Sequence, residues 1–199
     1  MTKIKLCGMM REEDILTVNE LLPEYIGFIF WEKSFRNLEK SKALALKKLL
    51  DKRIKAVGVF VDADPDFIIE LVKDDIIDVV QLHGTEDEAY ISKLREVAPG
   101  TQIIKAFKVS SLDDVEKAVL STADYILFDP GKGSGNTFNW DLIKDVKREY
   151  FLAGGLNCDN VKAALEELRP YAVDVSSGIE TDKKKSVEKM KLFVNIVRE

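Results

Sequence analysis

Residues 56–83 read Ala-Val-Gly-Val-Phe-Val-Asp-Ala-Asp-Pro-Asp-Phe-Ile-Ile-Glu-Leu-Val-Lys-Asp-Asp-Ile-Ile-Asp-Val-Val-Gln-Leu-His. The first apolar run, Ala56–Val61, is short and rich in Val and Phe, as a buried strand is. Pro65 suits the first turn of a helix, where its missing N–H costs nothing. A second apolar run, Asp78–His83, closes the unit. Strand, helix and strand in this order form one βα repeat.

The same repeat extends in both directions. Strand-like runs fall at Ile4–Cys7, Tyr25–Phe30, Gln102–Phe107, Tyr125–Asp129, Phe151–Gly154 and Ala172–Ser176, which brings the total to eight. Helix-like stretches lie between them, as at Glu12–Leu22, Ser41–Lys52, Glu86–Val97 and Asn160–Leu168, with apolar residues spaced three and four apart. Thr85 with Glu88 reads as a capping box. Eight units without a Gly/Pro/Ser-rich linker predict one (β/α)8 TIM-barrel domain over residues 1–199, with a doubly wound open sheet as the alternative. The barrel is lean. Its helices after strands five and six are expected to be abbreviated, with only about two turns over Trp140–Lys147.

Composition narrows the function. Net charge is -5, which argues against a nucleic-acid surface but leaves an anionic small molecule possible. The first residues carry no signal-peptide run, and no stretch of about 18 apolar residues occurs, so a cytoplasmic, membrane-free protein is expected. Two cysteines, Cys7 and Cys158, and one histidine are too few for a disulfide framework or a His-rich metal site, so no metal is expected. A monomer and a homodimer are equally compatible with the chain.

In a barrel, chemistry gathers at the C-terminal ends of the strands. Cys7 ends the first strand and is followed by Gly8; it is either a buried small hydrophobe or a base or nucleophile. Asp129 ends strand six, as a loop carboxylate or an acid. Period-2 alternation points Lys5 the same way as Cys7, and Asp174 the same way as Ser176. If that face is interior, Lys5 and Lys105 need a partner, and Asp174 is the natural one. Gln81 and His83 share a face, where a hydrogen-bonded scaffold is favoured over proton transfer. Arg36 reads as a surface ion pair or as a fork for a substrate carboxylate. Gly133-Ser134-Gly135, Gly154-Gly155 and Ser176-Ser177-Gly178 follow strands six, seven and eight; together they suggest a phosphate site served by backbone N–H groups and a short helix N-terminus.

These residues together make the chain resemble the phosphoribosylanthranilate isomerases. The resemblance rests on Lys5-Leu6-Cys7-Gly8, Gly27–Phe30 with Lys33-Ser34 and Arg36, Val57–Val61, Val80–Gly84, Gly133–Gly135 before Thr137–Trp140, Ala153–Asn157, and Val173–Glu180. It implies an Amadori rearrangement of N-(5-phosphoribosyl)anthranilate to the 1-amino-1-deoxyribulose 5-phosphate. Cys7 would be its general base and Asp129 its general acid. Arg36 would hold the anthranilate carboxylate, Gln81 and His83 would face the substrate, and the three Gly-rich loops would grip the phosphate. No cofactor is expected, because the substrate's own imine is the electron sink. A related sugar-phosphate isomerase uses two Asp residues, which Cys7 argues against. A non-catalytic phosphate-binding barrel would not call for Cys7, Asp129 and Arg36 together.

Overall fold

The computed structural model describes residues 1–129 and 139–199. Eight parallel strands close into a barrel: β1 (Lys3–Cys7), β2 (Tyr25–Phe30), β3 (Lys55–Phe60), β4 (Val79–Leu82), β5 (Gln102–Lys108), β6 (Tyr125–Asp129), β7 (Tyr150–Leu152) and β8 (Ala172–Val175). The β1–β8 ladder pairs Lys5 with Asp174 and completes the circle, which removes the open-sheet alternative. Closure matters energetically because it leaves no edge strand with unpaired backbone groups.

Around the barrel lie α1 (Glu12–Leu21), α2 (Lys40–Leu49), α3 (Pro65–Lys73), α4 (Glu88–Val97), α5 (Leu112–Leu120), α6 (Val161–Leu168) and α7 (Val187–Arg198). Asp64 caps α3 by accepting from Asp66 N, with Pro65 at the start as expected. The helix after strand five is not abbreviated: α5 has nine residues, as α3 has, and Ser111 caps it. After strand six the expected two-turn helix is replaced by a single 3-10 turn, Trp140–Leu142. Asn139 caps that turn, and the following Ile143 is the buried anchor of the segment.

The capping box at Thr85 does not form. Thr85 N and Oγ1 both donate to Asp62 Oδ1, and Asp87 caps α4 instead, accepting from Tyr90 N at 2.8 Å. A carboxylate is the stronger acceptor, so Asp62 holds the hydroxyl that the box required.

Strand alternation divides the core in two. Ile26, Phe28, Phe60, Ile103, Phe128 and Leu152 point outward beneath the helices. Tyr25, Val57, Val79, Ile104, Leu127, Phe151 and Ala172 fill the lower barrel interior. Each fully buried side chain of this size stabilises the fold by roughly 1.5–3 kcal/mol. Above that apolar plug the interior turns polar, with Lys5, Gln81 and Asp174 all buried. After β8 the chain makes a small hairpin, β9 (Glu180–Thr181) and β10 (Lys184–Lys185), before α7. Among the described residues no helix is long and apolar enough to cross a membrane.

Candidate active site

Cys7 is set at the top of β1 by its neighbours. Its ladder partner on β2 is Gly27, where a Cβ would lie 2.5 Å from Cys7 Sγ, so only glycine leaves room for the thiol. One pleat below, Lys5 is fully buried and its ammonium is 2.8 Å from Asp174 Oδ2. Burial works against the Lys5 charge, but Asp174 and then Cys7 outweigh it and raise the ammonium's pKa, so Lys5 stays charged beneath the thiol. Burial pushes the Cys7 thiol above its ordinary value, with the cations of Lys5 and Lys185 pulling the other way. Asp174 Oδ1 is buried and has no hydrogen-bond partner in the described structure.

Asp129 ends β6 on another side of the same mouth. Gln81 Nε2 is 2.9 Å from His83 Nδ1, and His83 Nε2 is 3.2 Å from Asp129 Oδ2. An amide nitrogen can only donate, so in this orientation Nδ1 accepts and Nε2–H donates to the carboxylate. In that orientation the chain of donors ends on the Asp129 carboxylate. Gln81 Oε1, at the other end of the amide, is buried and without a partner.

Arg36 comes from the loop after β2, with its backbone N held by Ser34 Oγ at 3.1 Å. Its Nε and Nη2 donate to the two oxygens of Glu180, each at 2.7 Å. Its guanidinium stacks on the Phe35 ring, 4.1 Å from the centroid. The ion pair expected of Arg36 is present, mostly buried rather than on the surface, and the residue lines the cavity. Gly8 is needed here twice over: its φ is +83°, and a Cβ would lie 2.7 Å from Arg36 Cδ.

Gly154 and Gly155 follow β7 with φ of 81° and 71°, a conformation that presents backbone rather than side chain. Ser176 and Ser177 face them from the end of β8. Gly178 is not part of the cavity wall; a Cβ there would lie 2.0 Å from Leu156 O, so this glycine brings loops seven and eight into contact. The expected short helix does not follow β8: Glu180 N donates to Ser177 O in a turn that leads into the β9–β10 hairpin. Gly133, Ser134 and Gly135 lie outside the described residues.

One cavity of about 530 Å³ therefore gathers Cys7, Arg36, Gln81, His83, Asp129, Gly154, Gly155, Ser176 and Ser177. The expectation for Lys105 needs correction. It pairs with Glu86 at 2.7 Å and donates to Gly84 O, while Asp174 takes only Lys5. Lys105 has the parity of Ile103 and Phe107, on the outward face of β5, whereas Lys5 and Asp174 are ladder partners inside the barrel. The sequence reading also missed Lys185, whose Nζ lies 2.7 Å from Glu180 Oε1 and 2.9 Å from Ser176 O. Its run, Lys183-Lys184-Lys185, looks like a solvated charge cluster, so alternation along a two-residue strand was the only clue.

Comparison with known proteins places this geometry. A model of the family "N-(5'phosphoribosyl)anthranilate (PRA) isomerase" matches residues 4–196. An N-(5'-phosphoribosyl)anthranilate isomerase of Clostridium acetobutylicum is 45% identical, with 100% of this chain and 98% of the relative covered. One of Endomicrobium trichonymphae is 44% identical, over 100% of this chain and 99% of its own. The crystal structure of the Thermotoga maritima phosphoribosyl anthranilate isomerase superposes with a TM-score of 0.91 at 36% identity, covering 100% and 99% of the two chains. Another such isomerase, in complex with reduced 1-(o-carboxyphenylamino)-1-deoxyribulose 5-phosphate, gives 0.88 at 35% identity over the same shares.

Proposed function

The chain belongs to the N-(5'-phosphoribosyl)anthranilate isomerase family of tryptophan biosynthesis, and from that premise we propose that Cys7 and Asp129 divide the base and acid work of its isomerisation. One catalytic domain, residues 1–199, would carry the whole reaction. The observation that supports this reading is that the two groups line one cavity from separate strands, β1 and β6. Opening a furanose and removing its C2 proton need an acid and a base at different atoms, which one residue cannot supply at once.

Asp129 donates its proton to the ring oxygen, the C1–O bond breaks, and the substrate's nitrogen takes up the positive charge as an iminium. The Cys7 thiolate removes the C2 proton, and the C–H electron pair flows into that iminium to give an enolamine. Loss of the C2 hydroxyl proton with protonation at C1 yields the ketone. Lys5 lies beneath Cys7 and stabilises the thiolate while Asp174 fixes it. Arg36 receives the anthranilate carboxylate, and Gly154, Gly155, Ser176 and Ser177 receive the phosphate, with Gly133, Ser134 and Gly135 assigned to the same end.

The chain from Gln81 through His83 to Asp129 has two directions. Turning the Gln81 amide over puts Oε1 against His83 Nδ1, so that Nδ1–H donates and Nε2 becomes an acceptor. Asp129 can then hold its proton as an O–H donor to Nε2. The partnerless Gln81 Oε1 is the atom that gains a bond in that arrangement. Gln81 and His83 thus orient Asp129 and match its two charge states without taking the proton from substrate.

Asp129→Asn keeps shape and polarity but has no acidic proton. It is expected to bind substrate nearly as well as the parent and to turn over at least about 10²-fold more slowly. Substrate supplied already ring-opened bypasses the acid and recovers part of that rate in Asp129→Asn but none in Cys7→Ala. An equal response of the two variants would reverse the division of labour.

A further inference from the structure

The charge arrangement at the rim of the cavity reaches the acid–base chemistry only through the pull of Lys185 on Cys7. Arg36 and Lys185 share one carboxylate, Glu180, at 2.7 Å each. The Lys185 and Glu180 side chains are nearly buried, 2% and 8% exposed. Burial would push the Glu180 carboxyl up, but the hydrogen bonds from Arg36 and Lys185 hold it below its usual range, so it is ionised. A guanidinium matched one to one with a carboxylate is neutral as a unit and offers an incoming anion little net attraction. Burial lowers the Lys185 pKa while Glu180 draws it back up, and its ammonium makes the cluster cationic again.

The hairpin that carries Glu180 and Lys185 is itself tied to the Arg36 loop. Asp182 and Lys183 form its two-residue turn, both with positive φ, 50° and 61°. That turn brings Lys183 Nζ to 5.6 Å from the Phe35 ring, on which Arg36 is stacked. At the other end Arg11 Nη2 donates to Lys185 O at 2.8 Å, anchoring β10 to the start of α1. Lys185 also donates to Ser176 O, so the hairpin is fixed to the end of β8.

We propose that the β9–β10 hairpin is a positioning element for recognition of the substrate carboxylate. Glu180 clamps Arg36 by Nε and Nη2 and leaves Nη1 outside the pair for the ligand, while Lys185 offsets the charge that Glu180 would otherwise cancel. This rests on the reading of Arg36 as the carboxylate's partner.

The test compares N-(5-phosphoribosyl)anthranilate with its decarboxylated analogue, N-(5-phosphoribosyl)aniline, by following ketone formation. Glu180→Gln and Lys185→Met are expected to raise KM for the carboxylated substrate about tenfold or more relative to the analogue; kcat changes less than about twofold in Glu180→Gln and falls equally on both substrates in Lys185→Met, which also loses a pull on the Cys7 thiol. Lys185→Arg restores most of the loss, because it returns the charge. Thermal unfolding of each variant identifies a folding defect, which would depress both substrates alike and count against the proposal. A fall in kcat on both substrates in Lys185→Met with no change in the ratio of their KM values would assign that lysine to Cys7 alone and overturn it. Arg36→Met separates the two levels. If it discriminates between the substrates and the hairpin variants do not, the hairpin role falls and the Arg36 reading stands. If Arg36→Met itself treats both substrates alike, both fall.

Discussion

The two ends of this barrel use polar groups in opposite ways. At the floor, Tyr25, Tyr125 and Tyr171 sit at or just before the first residues of β2, β6 and β8. Tyr171 donates to Tyr125 at 3.0 Å, lies 3.3 Å from the Tyr25 hydroxyl, and receives Lys3 Nζ at 2.6 Å. The Tyr125 and Tyr171 rings stack at 4.8 Å, and Phe151 packs edge-on against Tyr25 at 5.4 Å. All three hydroxyls are paired with neighbours. At the mouth, the buried atoms Asp174 Oδ1 and Gln81 Oε1 have no partner among the described residues, and burial works against the Cys7 thiolate. The same closed sheet supports both ends. The contrast teaches that polar groups left unsatisfied mark the end that receives a ligand, since a purely structural layer would have paired them.

Cys7→Ala puts the largest strain on that contrast. Turnover is expected to fall by about 10² or more while thermal stability hardly changes, because the lost group belongs to chemistry and not to closure. Near-normal turnover would break the assignment. The pH dependence sharpens it: the thiolate is the active form, and burial raises the thiol pKa, so kcat/KM should climb with pH on a limb alkaline of a free thiol's value of about 8.5. A limb complete below neutrality would point to a different base.

Tyr171→Phe tests the floor. It removes the hydroxyl that three neighbours share, and it should cost about 1–3 kcal/mol of stability in urea unfolding while leaving kcat/KM unchanged. Loss of activity without loss of stability would erase the distinction between the two ends. The smallest effect is expected from inorganic phosphate. It should compete with substrate, raising KM without lowering kcat, through the loops after β7 and β8; purely noncompetitive inhibition would place the anion elsewhere.

Much of this was legible in the chain. Cys7, Asp129, Gln81 and His83 could be placed at strand ends because apolar runs of four to six residues mark where each strand stops and their period of two fixes the face. The Lys5–Asp174 pair followed from the same parity. Lys105 did not pair as expected because it alternates with the inward Ile104 and Ala106 on β5, so it points outward, toward Glu86, and not into the barrel with Asp174. Thr85 failed as a helix cap for a different reason: its competitor, Asp62, is 23 residues away in sequence and adjacent only in the fold.

Local pattern by itself thus determined the repeat, the inward faces and the strand ends where chemistry collects, because each depends on contacts within a few residues. Tertiary structure alone decided closure through β1 and β8, the sharing of Glu180 between Arg36 and Lys185, and the approach of Gly178 to Leu156. Arg36 and Glu180 stand 144 residues apart, and no periodicity carries information over that separation. Their meeting is set by the register of the closed sheet, and the net charge presented to an incoming anion is set with it.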